Sequence, residues 1–242
     1  MICFRNNKTL LLKHTILLIM NSNLILDSLK EKMDLKNTVG KNTANDFSIL
    51  KQALHVVSKE LTQKIGNHQE VISKENGAWE IEIKFGGEVL IFSMHTDIFN
   101  FDDEHFTHKL DYVKQDATRS YCGVIKVYNF LADSFKYGRN NDLGYLIARI
   151  FVNKDNHFFV EGKRQLGFLY NDFENAIFDE PAIRTVIESC LLYAIQFDLL
   201  VPPFDQVKEI TVYQKVEQMG NAAVITGKRL GFNYQADNDT FG

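Results

Sequence analysis

The apolar period of this chain changes at Trp79, and that change limits the folds open to it. Upstream, Phe47, Leu50, Leu54, Val57, Leu61 and Ile65 recur every three or four residues, the spacing of one helical face. Asn45 or Asp46 is placed to cap that helix, and Gly66 to stop it in the left-handed conformation. From Trp79 the period is two. Trp79, Ile81, Ile83 and Phe85 alternate with Glu80, Glu82 and Lys84, so one side of a strand is buried and the other is wet. Gly86-Gly87 then supplies a two-residue hairpin turn. Such a turn sets Ile83 opposite Leu90 and Ile81 opposite Phe92. Val89 and Ile91 point the other way, which predicts partial cover on the second side of the sheet.

The same reading runs along the rest of the chain. Residues 22–35 form a short helix with Ile25, Leu29 and Met33 on one stripe, capped by Asn21 or Ser22, and a polar linker with Gly40 follows over 36–45. Residues 96–120 lack a clear period, which predicts a functional or mobile loop. Cys122 opens a Val-, Ile-, Tyr- and Phe-rich segment that favours a strand giving way to a helical turn before Gly138, while Val124, Val127, Tyr128, Leu131 and Phe135 also fit a helical stripe. A second hairpin pairs residues 145–152 with 157–162 around the turn Asn153–Asn156. Asp179 caps the strongest helix, with Pro181 in its first turn and Ile183, Val186, Ile187, Cys190, Leu191, Ala194 and Phe197 as its stripe. Pro202-Pro203 ends the helical region, and residues 210–213 read as a further strand.

Hairpins flanked by helices predict an α+β fold. Its antiparallel sheet has about five or six strands, in two hairpins, packed against an N-terminal and a C-terminal amphipathic helix. The organisation is an extension over 1–21, a short helix and linker over 22–44, one domain over 45–234, and a frayed tail over 235–242. This order of elements, over about residues 45–200, resembles that of small acidic secretion-chaperone and YbjN-like domains. The resemblance is one of layout, and it implies protein binding.

Charge and cysteine usage narrow the function classes. Residues 1–41 carry seven basic and three acidic side chains, a net of +4, whereas residues 42–242 carry 20 and 28, a net of −8. The acidic body argues against duplex DNA. Cys3, Cys122 and Cys190 are odd in number and far apart, so they read as reduced thiols of a cytoplasmic protein. Lys13 and His14 split the apolar bursts of the first 20 residues. The run is therefore too short for a membrane span and lacks the uninterrupted core of a signal peptide. Residues 1–19 read as an upstream-start artefact, with the working chain beginning at Met20.

One sequence repeat stands out. Gly162-Lys163-Arg164-Gln165-Leu166-Gly167-Phe168 recurs as Gly227-Lys228-Arg229-Leu230-Gly231-Phe232. Glycines admit close approach to backbone, and paired cations bind phosphate or carboxylate. Lys163, Arg164, Lys228 and Arg229 are thus candidate ligands for a small anion, or for RNA. The plainer reading is two strand ends at which glycine permits a bend and the cations are solvated. Gln165 has no counterpart in the second copy, which breaks the register between the two. His105 and His108, with the nearby carboxylates, have metal-ligand chemistry, but they lack the His-Glu-x-x-His spacing of zinc hydrolases and read more simply as a solvated loop. Phosphate-loop, dinucleotide and nucleophile-elbow motifs are absent, so no cofactor and no catalytic residue is expected. The favoured function is a non-enzymatic, chaperone-like adaptor in the cytoplasm that binds a protein partner or itself, without duplex DNA or membrane. The alternatives are a binding protein or enzyme for a small anionic, phosphate-containing ligand held by the two Gly-Lys-Arg segments, or RNA binding by the same cations.

Overall fold

Six strands follow one another across the sheet in chain order, each antiparallel to the next. They are β1 (Ile72–Glu75), β2 (Glu80–Phe85), β3 (Glu88–Met94), β4 (Cys122–Leu131), β5 (Tyr145–Asn153) and β6 (Phe158–Gly162). The computed structural model describes residues 5–66, 71–140, 142–197, 203–213 and 215, with side chains from residue 22 onward except 206 and 207. The fold is α+β, as the pattern of hairpins and helices predicts. Ile83 stands opposite Leu90 and Ile81 opposite Phe92. Gly86 takes φ +53° in the turn between them, a conformation that glycine adopts without strain.

On one face of the sheet, Ile81, Ile83, Leu90, Phe92, Ile125, Val127, Ile150 and Val152 are sealed from solvent. Two helices, α1 (Arg5–Ile65) and α5 (Glu180–Ile195), lie over them. Helix α5 follows its sequence signals closely. Asp179 accepts a hydrogen bond from Ala182 N at 3.0 Å, and every side chain of its expected stripe is buried. Arg184 of α5 reaches Glu60 of α1 at 2.6 Å.

Helix α1 departs from expectation. It is continuous from Arg5 to Ile65, so residues 36–45 are helical and not a linker, and neither Asn21 or Ser22 nor Asn45 or Asp46 is a cap. The burial stripe continues upstream of Phe47 through Val39 and Thr43, both fully buried. Thr43 escapes an apolar periodicity count because it is polar, yet its hydroxyl is satisfied by Val39 O at 2.8 Å. A Cβ on Gly123 of β4 would fall 2.1 Å from Thr43 Oγ1, so the helix sits directly on a bare stretch of strand. Asn42 donates to Asn153 O at 3.4 Å and to Lys154 O at 2.7 Å. The C-terminal stop is as expected, with Gly66 at φ +73°.

The second face is covered by the segment that sequence periodicity leaves irregular. Residues 96–121 form short turns of helix, including α2 (Asp111–Gln115), with a bridge between Phe99 and Cys122. Val113 packs there with Cys122, Val124, Phe151, Phe159 and Phe173. One-turn helices are too short to show a 3.6-residue period, so the segment is a structured lid and not a free loop. Val89 and Ile91 are buried on this face, beside Ala132.

The Cys122 strand ends at Leu131 and passes into α3 (Ala132–Lys136), matching the strand-then-turn reading. Strand β1 is unannounced by the sequence because it is a polar, mostly exposed edge, held by its pairing with β2. The short helix α4 (Gln165–Phe168) precedes α5, and the short helix α6 (Phe204–Val207) follows it. The expected strand over 210–213 is instead a helical turn, closed by Lys215 N donating to Thr211 O at 3.0 Å. The expected frayed tail lies outside the described residues.

Two stability predictions follow from this core. Ile187→Asp buries a charge where Ile187 is 0% exposed, at a cost of several kcal/mol, so thermal melting should lose its cooperative transition. Asn129 is also 0% exposed, and neither its Oδ1 nor its Nδ2 has a hydrogen-bond partner. Asn129→Leu is close to it in shape and removes both orphaned groups, so denaturant unfolding should show a gain of about 1–3 kcal/mol.

Candidate functional site

The first Gly-Lys-Arg segment is a tight corner. Strand β6 ends at Gly162, and α4 starts at Gln165. Leu166 N donates to Lys163 O at 3.1 Å. Arg164 sits at the first inner position of that turn with φ 48° and ψ −126°, a region that normally takes glycine. A non-glycine residue held there stores about 1–3 kcal/mol. Both glycines have packing duties. A Cβ on Gly162 would lie 2.6 Å from Leu166 Cβ, and one on Gly167 would lie 2.5 Å from Gly162 O. Leu166 is fully buried, so the glycines let α4 press onto β6. Lys163 is exposed, and the Arg164 guanidinium lies 6.0 Å from the Tyr193 ring centroid. The first copy is therefore a bend at a strand end, with Leu166-Gly167-Phe168 helical and not extended. Lys228 and Arg229 lie outside the described residues.

The paired histidines do not converge. His105 places Nε2 3.3 Å from Glu161 Oε1 and Nδ1 3.0 Å from Thr107 Oγ1, while His108 Nε2 lies 3.3 Å from Phe101 O. Among the described residues no three His, Cys, Asp or Glu side chains are grouped to hold a metal. Thr107, His105 and Glu161 have the order of a hydrolytic relay, yet Thr107 is 0% exposed and out of a substrate's reach. His105 Nδ1 accepts from Thr107 N as a cap, and its ring stacks on Phe101 at 4.2 Å between centroids. The histidine thus fastens the lid to β6.

A second hydroxyl–imidazole–carboxylate chain joins α1 to β1. Ser73 Oγ lies 2.7 Å from His55 Nδ1, His55 Nε2 lies 3.4 Å from Glu75 Oε1, and Lys51 Nζ donates to Glu75 Oε2 at 2.6 Å. Lys51 and then His55 hold the Glu75 carboxyl below its ordinary range. The contacts clip a short edge strand to the helix. Cys122 and Cys190 are free and buried, and burial pushes both thiols far above the usual range, which makes them inert core residues. Cys3 lies outside the described residues.

Periodicity announces the stripe at the front of α1 but not its exposure. Residues 22–34 are all exposed, and they include Leu24 at 66%, Ile25 at 65%, Leu29 at 53% and Met33 at 53%. Contact with the body starts at Lys32, whose ammonium bonds to Tyr121 OH and lies 3.8 Å from the ring centroid. Burial proper starts at Val39. The signal was present in the sequence as an apolar stripe, but a stripe does not say whether anything covers it.

No family model matches the chain, and neither a curated protein nor a solved structure matches it.

The strained corner makes its own prediction. Arg164→Gly and Arg164→Ala both delete the side chain, but only alanine keeps a Cβ at positive φ. Chemical denaturation should find the glycine variant more stable than the alanine variant by about 1 kcal/mol.

Proposed function

We propose that this chain is a non-enzymatic binding protein, an adaptor or chaperone-like module of the cytoplasm that engages another protein through the exposed front of α1. One observation carries the reading: Leu24, Ile25, Leu26, Leu29 and Met33 lie within ten consecutive residues and are each about half exposed or more. Single apolar side chains on a surface are ordinary, but a contiguous group marks a contact surface. The sheet edges are poorer candidates. Outside β6, Phe158 N donates to Ala176 O at 3.1 Å and Val160 N to Tyr170 O at 2.8 Å, so that edge is occupied. Strand β1 is four residues long and charged at Lys74 and Glu75, which discourages strand addition. The free thiols of Cys122 and Cys190 support a reducing compartment.

Residues 22–36 carry three acidic and three basic side chains, so apolar contact rather than net charge drives the association. Binding should survive high salt, whereas RNA held by cations would be lost steeply. Size exclusion with light scattering and crosslinking should show a self-associated or partner-bound species in both low and high salt. Leu29→Glu/Met33→Glu should abolish it while leaving circular dichroism unchanged. A wild-type chain that is monomeric and crosslinks to nothing refutes the reading.

A further inference from the structure

At the turn between β5 and β6 the contact of helix α1 with the sheet is polar. Asn42 spans the turn through Asn153 O and Lys154 O. One helical turn later Asp46 enters the same joint, 2% exposed. The carboxyl lies beside the Asn156 and Asn45 side chains, which favour its charged form. Its Oδ2 is shut off from solvent and has no hydrogen-bond partner. Asn156 is itself fixed. It takes φ +63°, its Nδ2 donates to Phe178 O at 3.4 Å, and its carbonyl accepts from Phe178 N at 2.9 Å.

The charged groups around this joint are engaged with one another. Lys154 of the turn pairs with Asp116 of the lid. Arg119 of the lid reaches Asp155 at 2.9 Å, which also accepts from Tyr112 OH at 2.9 Å. His157 at the start of β6 has Nδ1 3.1 Å from Phe173 O and its ring stacked on Tyr112. Asp179 caps α5. On α1 itself, Lys41 is exposed and Lys51 pairs with Glu75. Among the described residues, each of these cations has a counter-charge of its own or faces solvent.

We propose that Asp46 is a proton-operated latch between α1 and the β5–β6 turn: neutral, it keeps the helix seated; ionised, it loosens the joint. A buried carboxylate without a compensating cation is costly, whereas the neutral acid is cheap to bury. Burial accordingly lifts this carboxyl from 3.8 to about 7, against the opposing pull of Asn156 and Asn45. The folded chain therefore holds a proton that the unfolded chain has released between about pH 4 and pH 7. Below that window the carboxyl is neutral in both states and adds no proton-linked cost. The cost grows as pH rises through it and is constant above about 7. The latch operates around neutrality, where an ordinary aspartate would be insensitive. It stands independently of what the front of α1 binds.

Amide hydrogen exchange over residues 39–50, normalised for intrinsic rates, tests the proposal on the full chain. Opening should be about tenfold more frequent at pH 8 than at pH 6 in the wild type and pH-independent in Asp46→Asn. A pH-independent wild type, or an equal rise in Asp46→Asn, overturns the latch. Should Asp46→Asn fail to fold, a carbon-13 carboxyl titration of the wild type decides: a midpoint near 7 supports the latch, and one near 4 overturns it.

Discussion

The placement of α1 rests on a missing side chain. Gly123 presents bare backbone where Thr43 lands, and a Cβ there would fall 2.1 Å from the Thr43 hydroxyl oxygen. That contact fixes the height of the helix above β4. From it follow the reach of Asn42 to the β5–β6 turn, the burial of Phe47, Leu50 and Leu54, and the pairing of Glu60 with Arg184 on α5. Farther along, Ser58 and Thr62 both donate to Val71 O, at 2.7 and 3.0 Å. They carry the helix seat to the threshold of β1.

The two faces of the sheet are built by different means. Long helices with regular stripes cover the first, and burial of branched and aromatic side chains dominates its energetics. The second is covered by one-turn helices that cannot stand alone. It is held by aromatic packing of Phe101, Phe151 and Phe159 and by ion pairs such as Arg119–Asp155. The lid, the β5–β6 turn and α1 converge on Asn153. Its amide donates to Tyr112 OH at 3.0 Å and Arg119 O at 3.2 Å, while its Oδ1 accepts from Asp155 N and His157 N, each at 2.9 Å. A fully buried asparagine that satisfies so many neighbours orders three elements at once. Asn129, with no partner, is its opposite.

What could be read from the sequence divides along the same line. Where burial is apolar and periodic, as in β2, β3 and α5, element type, register and core residues are visible beforehand, except at Trp79, which alternation places on the buried side of β2 but which precedes the strand and is 47% exposed. Where burial is polar, they are not. Thr43, Asn42 and Asp46 look like linker or cap residues until the sheet is placed beneath them. Residues 96–121 look like a loop because their apolar anchors are spaced by one-turn helices. Strand β1 has no pattern of its own and exists through β2. For the candidate site, the Gly-Lys-Arg segment was visible as a motif, but its glycines answer to packing against Leu166 and Gly162 O. In the described copy, the motif's glycines serve a tight corner.

Continuity of α1 turns these local facts into one mechanical arrangement. An uninterrupted helix rises about 1.5 Å per residue, so residues 22–38 reach about 25 Å ahead of the first buried position. The backbone hydrogen bonds run through Gly40, where a Cβ would make an ordinary contact with Ile98 Cδ1 at 3.9 Å. Glycine lowers local helix stability by about 1 kcal/mol, and it stands between the exposed apolar front and the polar joint at Asn42 and Asp46. The helix therefore has a stiff exposed section, a weaker residue, and a seated section whose grip rests on hydrogen bonds rather than on apolar area alone. Hydrogen-bonded joints respond to protonation, and apolar stripes do not. Placing the polar joint next to the boundary puts control of α1 at the point where it leaves the sheet.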